Sequence, residues 1–348
     1  MRGLDSGQQQ LVIDFYDEWQ PFISASAIEK DILVREAILT IKDAGQKEGC
    51  QLVFAGGTAL SQAHQIIERM SEDADFRIIV PEGLSNGQTR KLLSMIKTEV
   101  VSLLDEAGFP LVGEMRGRNN NAYMMGEFSY QSRFFNTNAA MREHLKLEIT
   151  AFAPITPVSE LRLATIVDRV MGVVSSEVTI PTVSVIDTLA DKMVGYLRRT
   201  AQERAGLTRG DYDQRLVRHL YDTCCVVERL SSSPDFDADQ FTKRLSELAT
   251  LTVARDVATY GNQDKAFADN PHAVLQSELN YIQDDVVRDR YRKFCETMIW
   301  GRKPSFDEAA GSFATLASTA LIVPQDNLEI GEVSAPAEAR RRSGRGMR

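Results

Sequence analysis

Apolar residues recur with two different spacings along the first half of the chain. Helical spacing over residues 25–46 and 84–107 predicts two amphipathic helices. A third helix is expected over 59–70, directly after the first strand. Short apolar runs predict strands over residues 51–55, 74–80, 109–115, 122–130 and 144–152. Strands interleaved with helices in this way indicate an α/β domain.

The second half of the chain has a helical pattern from about residue 187 onward. Helices are expected over residues 187–204, 210–230, 237–258, 272–299 and 305–320. The change of pattern near residue 183 therefore predicts a helical domain after the α/β domain.

Four parts follow from this division of the chain. We expect an N-terminal arm over 1–24, the α/β domain over 25–183, the helical domain over 184–322 and a tail over 323–348. Five arginines lie in the last nine residues, after a segment of small and polar residues. Such a composition is typical of a disordered basic tail, which is either solvated or in contact with nucleic acid.

Composition narrows the class of protein. The 348 residues are 43% hydrophobic and 26% charged, with 40 Lys and Arg against 49 Asp and Glu, so the net charge is −9. A chain this acidic does not attract nucleic acid by bulk charge, so RNA binding would require a local basic patch. The four cysteines form no CxxC pair and no apolar run reaches the length of a membrane span. We therefore expect reduced thiols, no membrane partner and a cytoplasmic protein.

A glycine pair, Gly56-Gly57, followed by Thr58 lies where the first predicted strand runs into a helix. Glycines at this position let backbone N–H groups approach a phosphate, and the start of the helix presents its positive end to the same anion. The turn alone is weak evidence, because a glycine pair between a strand and a helix also occurs for purely geometric reasons.

Three carboxylates are candidates for a metal site. Asp73 and Asp75 are two residues apart on a predicted strand, so both point to the same face. Glu148 lies on the polar face of the strand predicted over 144–152, and it joins the pair if the two strands are neighbours. Three convergent carboxylates suit Mg²⁺, whereas Asp73 and Asp75 taken alone are also typical of a solvated strand end.

The motifs carry a family resemblance. Gly-Gly-Thr-Ala-Leu-Ser at 56–61 and Arg-x-Ser-x-Asp-x-Asp-Phe at 69–76 resemble the AbiEii/AbiGii-type nucleotidyltransferase toxins, a MenT-like group of the DNA polymerase β-like superfamily. Lys-Leu-Glu-Ile at 146–149 and Thr-Leu-Ala-Asp-Lys at 188–192 extend the resemblance, which spans residues 50–230. It implies a polymerase β-like nucleotidyltransferase core with a mixed sheet, followed by a helical C-terminal domain.

The resemblance also implies roles for the motif residues. The residues expected to hold the triphosphate of a nucleoside triphosphate are Gly56, Gly57, Thr58, Ser71 and Lys192. The residues expected to bind Mg²⁺, as two ions, are Asp73, Asp75 and Glu148, the last of which is also a candidate base. Asp222 would position Lys192 or the nucleotide.

Several of these residues have simpler interpretations. Lys192 is also typical of a solvated helix lysine, and Asp222 is four residues after Arg218, an ordinary ion-pair spacing on a helix. His219 stands where the family usually has Asp, and this departure puts the activity in doubt. Asp222 is a candidate to take the place of this Asp, as are Asp211 and Asp213, although a helix N-cap is the better explanation of the last two.

By resemblance, the expected function is magnesium-dependent transfer of a nucleoside monophosphate to a hydroxyl. The implied acceptor is the tRNA 3′ end, and the implied role is that of a toxin restrained by a cognate antitoxin or of a phage-defence protein. Two alternatives stay open: transfer to a protein or small-molecule hydroxyl, and a catalytically weak nucleotide-binding module. Candidate arginines for an acceptor groove are Arg116, Arg118, Arg133 and Arg142.

Overall fold

Seven strands and twelve helices make up the computed structural model, which describes residues 1–19, 23–136, 141–173, 177–208 and 212–321. The strands are β1 (Gln51–Ala55), β2 (Asp73–Ile79), β3 (Leu111–Arg118), β4 (Tyr123–Phe128), β5 (Leu145–Thr150), β6 (Ser159–Arg162) and β7 (Thr179–Thr182). The predicted basic tail, together with Asp211, lies outside the described residues.

The helices fall into two groups. Those before β7 are α1 (Ser6–Trp19), α2 (Ala25–Ile41), α3 (Gly56–Thr58), α4 (Asn86–Glu106) and α5 (Ile166–Met171). Those after β7, the helical region, are α6 (Val185–Arg204), α7 (Arg218–Ser231), α8 (Ala238–Tyr260), α9 (Lys265–Asp269), α10 (Pro271–Leu279), α11 (Asp285–Met298) and α12 (Phe306–Ala320). None of the described helices is both long and apolar enough to cross a membrane.

The strands form one mixed sheet in the order β3-β4-β5-β2-β1-β7-β6. β2 runs parallel to β5 and β1 runs parallel to β7, while the other neighbouring pairs are antiparallel. The α/β class and the mixed sheet predicted from the sequence are confirmed.

Buried and partly buried side chains alternate along β5, so one face of the sheet is apolar and the other is polar. Leu145, Leu147 and Ile149 are buried on one face, whereas Lys146 and Glu148 are only partly buried on the other. The apolar face contributes to a core that continues without a break into the helical region. The polar face of β5 and β2 carries the candidate site and is called the site face below.

An ion-pair network connects β2 to the helical region. Arg77 on β2 is 4% exposed and pairs with Asp187 and Asp191 on α6. The other Asp187 oxygen, Oδ2, accepts hydrogen bonds from the backbone N–H groups of Ile155 and Thr156. These contacts fix α6 over the site face, and the domain boundary at 183/184 stays a prediction.

The helix predicted over 59–70 is wrong beyond residue 63. α3 continues only as a π-helical segment over 59–63, and Gln65 has a positive φ of 55°. The following residues then bond to the end of α11: Met70 N–H donates to the Met298 carbonyl, and Trp300 N–H donates to the Glu68 carbonyl. The segment therefore takes its hydrogen bonds from residues far along the chain, a long-range pairing that helical periodicity does not reveal.

The single helix predicted over 272–299 is also wrong, because α10 and α11 are separate helices. Residues 280–284 form the break, and Pro271 follows Asn270, whose side chain caps the start of α10. The helix predicted over 210–230 begins later, as a 3₁₀ turn over 214–217 that leads into α7. Elements that were not predicted at all are α1, α5, α9, β6 and β7.

Candidate functional site

The register of β2 against β5 brings the three predicted carboxylates onto one patch of the site face. Asp75 lies directly opposite Glu148, and Asp73 lies opposite Lys146. Directly opposed residues on neighbouring strands have side chains in contact range. The two strands that carry the carboxylates are therefore neighbours, which is the condition for Glu148 to join the pair.

Basic side chains contact two of the three carboxylates. Arg142 pairs with Asp73, and Lys146 pairs with Glu148 while its Nζ lies 4.0 Å from Asp73 Oδ2. Burial opposes the charge of Lys146, but Asp73 and Glu148 outweigh it and raise the pKa of the ammonium. Burial, together with the charges of Glu148 and Asp73, raises the pKa of Asp75 to about 7. The patch is therefore crowded with negative charge that added cations would stabilise.

The glycine pair packs directly against these residues. Gly56 has a φ of +75°, and a Cβ atom there would lie 2.1 Å from Asp75 Oδ2. A Cβ atom on Gly57 would lie 2.5 Å from a terminal nitrogen of Arg69 and 3.0 Å from Ser71 Oγ. Only glycine fits at Gly56, because both the backbone conformation and the close approach exclude a side chain.

Thr58 and Ser71 have different surroundings. The Thr58 side chain is fully buried, donates to the Asp73 carbonyl and lies 2.9 Å from Ser71 Oγ. Ser71 lines a cavity in front of the glycine turn together with Gly57 and Asp75, whereas Thr58 does not. The Thr58 side chain thus fixes the start of β2, and its hydroxyl is not available to a phosphate.

Lys192 and Asp222 meet across two helices. Lys192 Nζ on α6 donates to Asp222 Oδ2 on α7 over 2.6 Å, and Arg69 forms two hydrogen bonds to the same carboxylate. Burial would raise the pKa of Asp222, but Arg69 and Lys192 hold it well below its usual range. Burial lowers the pKa of Lys192, an effect that Asp222 partly offsets. Asp222 therefore orients Lys192 and does not form the simple pair with Arg218.

His219 does not contact the carboxylates. Its Nδ1 lies 2.9 Å from the Lys192 carbonyl oxygen, so this nitrogen carries the proton. Burial and the nearby charges of Lys192 and Arg199 lower its pKa well below the ordinary value. His219 is a neutral residue that holds the backbone of α6 at Lys192.

Sequence reasoning missed a set of ion pairs around the cavity. Glu72 accepts from Lys30 at 2.9 Å and from Arg215 at 2.8 Å, and its Oε2 also accepts from the Arg142 N–H. Arg215 and Arg218 line the same cavity as Asp73 and Asp75. The only sequence signal was that Glu72 lies between Ser71 and Asp73 in the motif, since its partners come from distant elements.

The capping interpretation fits Asp213. Its side chain accepts from the Arg215 N–H at the start of the 3₁₀ turn, and it lies 3.3 Å from Arg218. The cations of Arg218 and Arg215 outweigh burial and lower the pKa of Asp213. Asp213 therefore holds two cavity arginines rather than joining the carboxylates on β2 and β5.

The donor set of the patch fits a hard divalent cation. Carboxylate oxygens are the ligands that Mg²⁺ prefers, and Gly56 leaves space beside Asp75 that any side chain would fill. Within the described ranges, however, no three His, Cys, Asp or Glu side chains are already arranged around one metal position. Arg142 and Lys146 hold Asp73 and Glu148 instead, so metal binding would require these side chains to turn.

Comparison with known proteins identifies one family model that covers the part of the chain carrying these residues. The family model described as "Nucleotidyl transferase AbiEii toxin, Type IV TA system" matches residues 41–312. The matched range begins before β1 and ends within α12, so it includes the glycine turn, the carboxylates and the Lys192-Asp222 pair. No curated protein matches the sequence.

One solved structure is similar over nearly the whole chain. It is MenT4, a nucleotidyltransferase toxin from Mycobacterium tuberculosis H37Rv, with a TM-score of 0.52 and 15% sequence identity. The match covers 93% of this chain and 92% of that one. At this identity the similarity shows a shared fold.

Proposed function

The chain belongs to the AbiEii family of nucleotidyltransferase toxins of type IV toxin-antitoxin systems, and from this we propose its substrates and its site. We propose that it transfers a nucleoside monophosphate from a nucleoside triphosphate to the 3′-terminal hydroxyl of tRNA and releases pyrophosphate. The observation that carries the proposal is the opposition of Asp75 and Glu148 on parallel strands, directly beside Gly56.

Asp73, Asp75 and Glu148 are the proposed ligands of Mg²⁺, bound as two ions. When bound, these ions would activate the attacking hydroxyl and stabilise the negative charge of the leaving pyrophosphate. The raised pKa of Asp75, caused by burial and by its carboxylate neighbours, supports a cation at this patch. Arg142 and Lys146 lie close enough to neutralise Asp73 and Glu148 until the nucleotide arrives.

The triphosphate would lie between the glycine turn and the helical region. Backbone N–H groups at Gly56, Gly57 and Thr58, with the Ser71 hydroxyl, would donate hydrogen bonds to phosphate oxygens. Arg69 and Arg218 line this cavity and provide positive charge, and Lys192 on α6 is joined to Arg69 through their shared partner Asp222. Because Asp222 already neutralises part of this charge, Lys192 would act as an oriented donor at the edge of the phosphate site.

The proposed chemical step is an in-line displacement at the α-phosphorus. The hydroxyl oxygen of the acceptor forms a bond to phosphorus, and the bond from phosphorus to the bridging oxygen of pyrophosphate breaks. The hydroxyl proton passes to Glu148, which borders β4 on the more open side of the site and has a side chain 26% exposed. The electron pair of the broken bond leaves with pyrophosphate, so atoms and charges balance.

Family membership also supports proposals about partners and place of action. A type IV toxin is countered by a separately encoded antitoxin, and we propose such a cognate partner here. We propose that the protein acts in the cytoplasm, where tRNA and nucleoside triphosphates occur together. Phage defence is an alternative setting for the same chemistry.

Transfer of label tests the proposal. Purified protein is incubated with Mg²⁺, total tRNA and each α-labelled nucleoside triphosphate in turn, beside Asp75→Asn and a matched Asp307→Asn variant. Asp307 is an exposed carboxylate of α12 that pairs with Arg288 on the surface. We expect label in tRNA with the wild type and Asp307→Asn, and none with Asp75→Asn. Pyrophosphate release without labelled tRNA would instead indicate a protein or small-molecule acceptor.

A further inference from the structure

Cross-strand register extends the site face beyond the carboxylates to the edge of the sheet. Asp75 lies opposite Glu148, Glu148 lies opposite Met125 on β4, and Met125 lies opposite Arg116 on β3. One row of side chains thus crosses four strands, a distance of roughly 14 Å at the usual strand spacing. The row begins at the carboxylates and ends at an arginine on the open edge.

A second row runs beside the first. Thr150 on β5 lies opposite Tyr123 on β4, and Tyr123 lies opposite Arg118 on β3. The Tyr123 hydroxyl lies close to the Glu148 carboxylate, so the ring lies next to the proposed base. Tyr123 and Met125 therefore form a partly apolar step between the carboxylates and two edge arginines.

The side chains of these rows become more exposed to solvent from β2 towards β3. Arg77, at the β2 end of the site face, is buried under α6, Tyr123 and Met125 are half-buried, and Arg116 and Arg118 are exposed. Within the part of the chain that the structure describes, neither of the two edge arginines forms an ion pair, whereas Arg142 at the carboxylates does. In a chain of net charge −9, two exposed and unpaired arginines on the site face mark a local attraction for an anion.

We propose that this surface, formed by Arg116, Arg118, Tyr123 and Met125 and called the acceptor face below, binds the single-stranded 3′ end of the RNA acceptor. This inference rests on the proposed function and adds the residues that hold its second substrate. Nucleobases stack on Tyr123 and Met125, and Arg116 and Arg118 contact backbone phosphates.

The chemistry of the face favours a single-stranded RNA end over other acceptors. A half-buried aromatic ring on an open sheet presents a flat surface on which an unpaired base stacks, and edge arginines match the charge of successive phosphates. β4 lies two strands from β2, roughly 10 Å, so a terminal nucleotide on Tyr123 has its hydroxyl near Asp75 and Glu148. The last base of a paired end is held in its duplex and cannot be splayed out onto the ring as an unpaired base can.

Binding of RNA without nucleotide tests the acceptor face separately from catalysis. The probe is a fluorescent RNA hairpin with a short single-stranded 3′ overhang, and the same hairpin with a blunt end is the control probe. We expect the R116E/R118E double variant to bind the overhang hairpin at least about tenfold more weakly. The slope of log Kd against log salt concentration should also fall, by about 0.7 for each phosphate that the variant no longer binds. The matched control is R162E on β6, the opposite edge of the sheet, where Arg162 is exposed and pairs with Glu177.

Substitutions of Tyr123 separate stacking on the ring from the proximity of its hydroxyl to Glu148. Tyr123→Phe keeps the ring, so we expect RNA affinity close to that of the wild type and a lower kcat. Tyr123→Ala removes the ring as well, and we expect RNA binding weaker by roughly 5- to 100-fold. Arg116 and Arg118 are exposed, so their substitution tests RNA binding by the same face without disturbing the packing around the half-buried Tyr123.

The outcomes distinguish the acceptor face from the proposed function. Equal binding of the overhang hairpin by the wild type and R116E/R118E would overturn the acceptor face, as would equal binding of the overhang and blunt hairpins. If the wild type also labels tRNA in that case, the proposed function stands and the acceptor binds elsewhere. Labelling of a protein with no RNA binding by the wild type would overturn both.

Discussion

Lys192 on α6 and Asp222 on α7 form a buried ion pair, with Nζ and Oδ2 2.6 Å apart. Both side chains are almost fully excluded from solvent, at 7% and 0% exposed. The pair joins two helices of the helical region, and the hydrogen bonds from Arg69 to Asp222 connect them to the segment that precedes β2. The Asp222 carboxylate thereby fixes Lys192 and Arg69 relative to β2.

Asp222→Asn should destabilise the fold strongly. The substitution leaves Lys192 and Arg69 buried without their counter-charge, and removal of one partner of a buried pair costs about 3–5 kcal/mol. Urea unfolding measures the change. Glu296→Gln, which breaks an exposed pair with Arg292, serves as the control and should change the free energy of unfolding by no more than about 1 kcal/mol. A similarly small change for Asp222→Asn would contradict the role given to this carboxylate.

Gly56→Ala should abolish nucleotide transfer. The methyl group would lie 2.1 Å from Asp75 Oδ2, so the carboxylate must move. Gly83→Ala is a matched control, because Gly83 has a similar φ of +79° but no atom within 4 Å of an added Cβ. Both variants should lose about 1–2 kcal/mol of stability from backbone strain, and only Gly56→Ala should lose activity. Equal activity of the two variants would show that the close approach to Asp75 is unimportant.

The free energy of unfolding should fall as the pH rises from about 4 to 6, because the buried Asp31 carboxyl keeps its proton in the folded protein. Burial raises the pKa of this carboxyl to about 6, although Gln62 and the Ile166 N–H donate hydrogen bonds to it. The folded protein therefore keeps a proton that the unfolded chain releases in this range, and deprotonation costs on the order of 3 kcal/mol. Asp31→Asn should remove this component from the pH profile of urea unfolding. Identical profiles for the two proteins would show that Asp31 titrates normally.

The contribution of His219 to stability should change with pH in the opposite direction and fall as the pH falls. Because burial and the cations of Lys192 and Arg199 lower its pKa, the unfolded chain binds a proton below about pH 6.5 before the folded protein does. Stability from this group is complete above that pH and falls by about 1.4 kcal/mol per pH unit below it. His219→Asn retains a donor for the Lys192 carbonyl and should lose less stability between about pH 6.5 and 5, as calorimetry would show. The same decline in both proteins would mean that His219 is not the group responsible.

Local patterns identified the parts of the site that lie within one element. The i, i+2 spacing of Asp73 and Asp75 and the alternation of β5 predicted a shared carboxylate face on the condition that the two strands are neighbours, and the β2–β5 register meets that condition. The Gly56-Gly57 turn was visible for the same reason, since it depends on two adjacent residues.

Long-range pairing explains what the sequence did not reveal. Residues 64–70 have a helical composition, but Glu68 and Met70 bond to the chain at the end of α11, and this outweighs their helical propensity. The ion pairs of Glu72 with Lys30 and Arg215 join three distant elements, and nothing in their local sequence indicates them. The two rows of the acceptor face were not visible in the sequence either, because they exist only once four strands are in register. The role of that face is a prediction.

Binding of Mn²⁺ tests most directly whether carboxylates from β2 and β5 form one cation site. Electron paramagnetic resonance of free Mn²⁺ measures how much metal the protein binds, once the Mn²⁺ bound by the nucleoside triphosphate alone has been measured in a sample without protein and subtracted. We expect tight binding by the wild type and by Asp307→Asn, and at least about tenfold weaker binding by both Asp75→Asn and Glu148→Gln. Wild-type affinity in Glu148→Gln would contradict the account, because the strand-to-strand site requires both carboxylates.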